Sequence, residues 1–181
     1  QSSMAVVLAK RGYGVLSYSV LGFGGSGCKI SLDDPPYDGR AGSQLISYLG
    51  NLSWTKKDGP DDPRVGMIGG SYGGGIQFAV AKVDPRLDTI VPTITWNDLR
   101  YSLAPNNLVE PDQPGQDVAG DPDNPGALKL EWSLLLFADG LVEGVTGIRA
   151  DVTRDDGCLD FLIDVCPFAL ESVTNAAFTQ G

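Results

Sequence analysis

The chain of 181 residues contains no histidine. That removes the commonest general base at neutral pH and one half of most zinc ligand sets. Cysteine is scarce as well: Cys28, Cys158 and Cys166 are the three, and no pair has CxxC spacing. A zinc ribbon or a thioredoxin-type redox pair is therefore excluded. Cys158 and Cys166 flank "LDFLIDV", a spacing that serves equally for a bridge in an oxidising compartment or for two buried thiols. No apolar run is long enough to span a bilayer, because "LLLF" is soon broken by Asp139. No basic cluster offsets the net charge of −10, so neither nucleic acid nor an anionic membrane face is an expected partner. Internal repeats and low-complexity tracts are also missing.

What remains is a globular composition. Hydrophobic residues make up 42% of the chain, enough for a sizeable core and too many for a disordered one. "SSMAVVLAKRG" reads as a helix ending at Gly12. "YGVLSYSVL" lacks strict alternation, which predicts a strand buried on both faces. The Gly- and Pro-dense "GFGGSGCKISLDDPPYDG" predicts a long loop. "GRAGSQLISYLGNL" follows as a helix, "DPRVGMIGG" as a strand, "SYGGGIQFAVAKV" as a helix stopped at Asp84-Pro85, and "LDTIVPTI" as a third buried strand. Alternating strands and helices imply a parallel sheet with crossover helices. After about residue 100 a polar Pro/Gly/Asp connection leads to "LKLEWSLLLFADGLVEG", an amphipathic helix, and then to a short helix-leaning end.

Two glycine loops carry candidate chemistry. Gly22-Phe23-Gly24-Gly25-Ser26-Gly27 fits GxGxxG, but a dinucleotide site needs a helix opening at the last glycine, and Pro35-Pro36 argues against one. The Walker pattern fails too, since Cys28 separates Gly27 from Lys29. The second loop, Gly69-Gly70-Ser71-Tyr72-Gly73, fits GxSxG, with a strand entering and a helix leaving. Such a corner projects the central side chain from a strained backbone. Flanking side chains would clash there, which makes Gly69 and Gly73 expected requirements. Ser71 is the candidate nucleophile, and the Tyr72 amide, at the positive end of a helix, is the candidate oxyanion donor.

"VGMIGGSYGGGIQFAVAKVDPRLDTIVPTITWNDLRYSL" and "LSYSVLGFGGSG" resemble the X-prolyl dipeptidyl-peptidase and cocaine-esterase-like group of α/β-hydrolases. The resemblance implies a partial α/β-hydrolase core over residues 1–105 and a linker with the beginning of a helical cap over 106–181. It implies Ser71 as acyl-accepting nucleophile, Tyr72 N–H as one oxyanion donor, and Trp96, Asp98 and Tyr101 near the pocket mouth. Leu21 stands where the group usually has Arg. The group's acid and histidine lie beyond its cap and have no counterpart here, so the expectation is an internal piece of a larger hydrolase that by itself turns over little. Its substrate is expected to be a small ester or a peptide, and the chemistry requires no metal or organic cofactor. The rival expectation is a hydrolase-like binding or interaction protein without catalysis. Compartment and oligomeric state are left open by the sequence, apart from the slight indication of export that a Cys158–Cys166 bridge would carry.

Overall fold

The structure, a computed structural model, describes residues 3–103, 108–109, 128–146, 161–162, 165–167, 170 and 178–179. The chain divides into two compact units, Gln1–Thr95 and Trp96–Gly181. The division falls ahead of the 105/106 boundary that the resemblance implies.

The first unit begins with α1 (Ser3–Lys10), which ends in a turn at Gly12, where φ is +91°. A short π-helical turn, Pro35–Gly39, feeds α2 (Arg40–Asn51). A small antiparallel pair follows, β1 (Lys57–Gly59) and β2 (Asp62–Pro63). Then come β3 (Val65–Gly70), α3 (Tyr72–Val83) and β4 (Leu87–Thr93). β3 and β4 are parallel and in register from Gly66↔Thr89 to Gly70↔Thr93, so this stretch is the βαβ unit that the sequence predicts.

The core is built where α2 and α3 meet the inner face of that pair. Ile46, Ile76, Ala79 and Val80 are buried, with Val20, Val65, Met67 and Leu87 packed against them. Glycine lets the two helices close on one another. A Cβ at Gly39 would lie 2.6 Å from the Ala79 carbonyl oxygen, and one at Gly42 would strike the Val80 side chain. At the far end, buried Asp84 accepts from Ser43 Oγ at 2.7 Å and from Arg86 Nη2 at 2.7 Å. Those hydrogen bonds, chiefly from Arg86, hold its carboxyl down at a pKa of about 2.

Three expectations need correction. Residues 13–20 form no strand, and Tyr13, Val15, Leu16 and Tyr18 are exposed. A strand exists only through its ladder, and this segment belongs to none of the ladders among the described residues. β4 is a strand as predicted but is not buried on both faces: from Thr89 on its residues alternate, and on the outer side Val91, like Ile68 of β3, is about half exposed. The predicted loop stops at Asp34, because Pro35-Pro36 opens the π-helical turn. No helix opens at Gly27, in keeping with the argument against a dinucleotide loop.

In the second unit, α4 (Leu99–Leu103), β5 (Leu108–Val109), α5 (Leu130–Thr146) and β6 (Phe178–Thr179) are described, with β5 parallel to β6. α5 is the predicted helix, but Trp132, Leu134 and Leu135 on it are exposed, whereas Ser133 and Gly140 are buried. Phe137 and Phe161 meet edge-on at 6.4 Å. Cys166 is disulfide-bonded, Cys28 is free and exposed, and Cys158 lies outside the described residues.

Candidate active site

The chain leaves β3 at Gly70 and enters α3 at Tyr72, so Ser71 alone makes the corner. Its backbone has φ +55° and ψ −122°, a conformation that L-residues rarely adopt. Three hydrogen bonds hold it there. Ser71 N–H donates to the Thr93 carbonyl on β4 at 2.9 Å. The Ser71 carbonyl accepts from Gly74 N–H at 2.8 Å and Gly75 N–H at 3.0 Å, the first turn of α3. Ser71 is exposed. The corner therefore presents a hydroxyl to solvent at the carboxyl end of a parallel strand and at the amino end of a helix.

The glycines around it are not equivalent. A Cβ on Gly69 would sit 2.5 Å from the Gly73 carbonyl oxygen and 2.9 Å from its carbon, both rigid backbone. At Gly70 it would sit 3.1 Å from Thr93 Oγ1. At Gly73 it would meet nothing within 4 Å. The expectation that side chains at both Gly69 and Gly73 would clash is thus corrected. The close approach is between the Gly69 Cβ position and the Gly73 backbone, so the steric demand falls on Gly69. Further along, Gly74 is crowded by Thr95 (2.7 Å to its Cβ) and Gly75 by the Asp33 carboxyl.

Sequence spacing gives no hint of Gln77, which clips the corner from beneath. Its side chain is fully buried. Nε2 donates to the Gly73 carbonyl at 2.7 Å and the Gly69 carbonyl at 3.3 Å, while Oε1 accepts from Val91 N–H at 2.8 Å. One amide thus ties both ends of the GxSxG segment to the neighbouring strand. The available signal is a lone polar residue inside the apolar run "IQFAVA".

On the other side of the corner, the Tyr72 side chain turns into the protein. Its ring meets Phe23 edge-on at 5.0 Å, and its hydroxyl donates to Asp38 Oδ2 at 3.2 Å and accepts from Asp33 N–H at 3.0 Å. Burial, and then the negative charges of Asp38 and Asp33, push the Tyr72 phenol well above its ordinary pKa. It remains a protonated donor. Asp33 has φ +62°, and neither carboxyl oxygen has a hydrogen-bond partner among the described residues. Burial, followed by the charge of Asp38, raises its pKa from 3.8 to about 8. Asp33 is therefore a neutral acid at pH 7.

A pH dependence follows. The folded-state pKa of Asp33 lies above its unfolded value, so the native state holds the extra proton between them. The resulting stability is fully present below about pH 4 and is lost as pH rises through about 8. The titratable groups facing Asp33 are Asp38, Tyr72 and Tyr18. Asp33→Asn cannot ionise and suits a positive φ. Urea melts across this pH range should show a flatter stability profile for the variant than for the parent; parallel profiles would refute the assignment.

Trp96, Asp98 and Tyr101 lie in the second unit. Trp96 and Asp98 are half-buried, the Asp98 carbonyl accepts from Ser102 N–H at 3.0 Å and Ser102 Oγ at 2.8 Å, and Tyr101 lies within α4. The geometry brings together Ser71, Tyr72 and Gly69, Gly70 and Gly73, and adds Gln77, Asp38 and Asp33 around them.

Residues 1–125 match the pattern of a protein family described as X-Pro dipeptidyl-peptidase (S15 family). No curated protein and no solved structure matches the chain.

Proposed function

The chain belongs to the X-Pro dipeptidyl-peptidase (S15) family, and from that premise we propose that it carries the nucleophile of a serine hydrolase acting on peptide or acyl-ester substrates through an acyl-enzyme. Ser71 Oγ attacks the substrate carbonyl. The amide of Tyr72, at the amino end of α3, donates to the developing oxyanion. The amine or alcohol leaves with a proton, and water then releases the acid and restores the serine. The 181 residues contain no histidine, so the base that takes the Ser71 proton is assigned to residues outside them. The observation that carries the reading is the positive-φ serine placed alone between a parallel strand and a helix.

A fluorophosphonate probe tests it. The whole protein should form one covalent adduct, mapped by mass spectrometry to Ser71, whereas the 181-residue chain alone should react far more slowly. A folded, full-length protein that stays unlabelled would refute catalysis and favour a binding role.

A further inference from the structure

Asp38 is 1% exposed, and the proposed mechanism makes no use of it. Four donors converge on its carboxylate. Leu21 N–H reaches Oδ1 at 3.3 Å. Oδ2 takes the Ser31 hydroxyl, Asp33 N–H at 3.2 Å and the Tyr72 hydroxyl at 3.2 Å. A buried carboxylate is an acceptor-only group and is tolerated only when its oxygens are supplied with donors. Three of the four come from the loop 21–33. The fourth is the phenol of the residue that follows the nucleophile.

The linkage closes on α3. Asp38 stands in the π-helical turn next to Gly39, and Gly39 packs against the Ala79 carbonyl two turns along α3. Tyr72 is the first residue of that helix. Its phenol is held at the ring by Phe23 and at the hydroxyl by Asp38 and Asp33 N–H, which anchors the Cα and Cβ that carry the amide, while the Ser71 carbonyl of the same peptide unit accepts from Gly74 and Gly75 N–H. From the opposite side Gln77 ties the Gly69 and Gly73 carbonyls that flank the corner.

Resting on the hydrolase reading above, we propose that Asp38 is a positioning residue for acyl transfer: through the Tyr72 phenol it fixes the direction of the Tyr72 amide that receives the oxyanion. The oxyanion exists only beyond the ground state, so loss of this alignment lowers kcat and leaves KM in place. A purely structural role would lower stability without that split.

The test uses the whole protein with Tyr72→Phe, which keeps ring and amide, with Asp38→Asn, and with the two combined. Each single variant should lower kcat for a nitrophenyl ester roughly tenfold at unchanged KM, as misalignment of a catalytic group does. The combination should be no worse than the stronger single, because both remove the same bond. Additive losses, or an unchanged kcat in Tyr72→Phe, would overturn the proposal. If Asp38→Asn does not fold, Tyr72→Phe alone carries the kinetic test, and an unchanged kcat in it overturns the proposal. A second readout is independent of catalysis: the ¹H–¹⁵N resonance of the Tyr72 amide should move in Asp38→Asn or Ser31→Ala. Should the parent fail to label at Ser71, the hydrolase reading falls, and an unmoved resonance then separately refutes the clamp.

Discussion

Ser71→Gly is expected to abolish acyl transfer and at the same time to stabilise the fold by roughly 1 kcal/mol. The two effects have one origin. At φ +55° and ψ −122° a Cβ is strained, and glycine is not. Strain of this kind costs about 1 to 3 kcal/mol, and the larger unfolded-state freedom of glycine returns about 0.4 to 1 kcal/mol of any relief. The backbone bonds to Thr93, Gly74 and Gly75 are untouched by the substitution, and the exposed side chain is not part of the core. Ser71→Ala keeps the Cβ and so supplies the control: turnover should fall at least about ten-thousandfold in both variants, but only glycine should raise the urea midpoint. Equal stability of the two variants would mean that the corner stores no strain, and the physical case for a nucleophile held there would weaken with it.

That corner was legible in the sequence because every part of it is local. A strand-length apolar run, a glycine pair, one serine and a helix-length run lie within Val65–Val83. The same locality gave the βαβ unit and the stop at Asp84. Residues 13–20 have the apolar composition of a buried strand but form none, because strand formation depends on a partner that composition does not name. α5 shows the same limit, since its period fixes the helix but not which face is covered. The supports of the corner were missed for a related reason. Tyr72 meets Asp38 across 34 positions and Asp33 across 39, and Gln77 meets Val91 across 14. Those contacts exist only after the chain has folded back, so neither motif nor spacing announces them. The asymmetry between Gly69 and Gly73 is likewise a matter of which way each missing Cβ would point.

Gln77→Leu is the second substitution expected to have a large effect, a loss of roughly 3 kcal/mol together with slower labelling of Ser71. Leucine fills much the same space, so the loss is polar and not a cavity. Without the amide, the Gly69 and Gly73 carbonyls lose a donor and Val91 N–H loses an acceptor. An unmet polar group in a buried setting costs far more than the net worth of the bond it replaces. The corner would also lose one of its ties to β4, leaving the Ser71 N–H bond to Thr93 and the strand ladder, and Ser71 would sample orientations away from attack. Gln77→Glu separates this from packing. Its protonated carboxyl can still donate to one carbonyl, whereas the ionised form sets a negative charge against two carbonyl oxygens. The folded state therefore favours the proton, so the variant should approach the parent's stability at low pH and lose it as pH rises. Melts of Gln77→Glu that run parallel to the parent's across pH would show that the side chain acts by volume alone, and that the corner is held by glycine sterics without the buried amide.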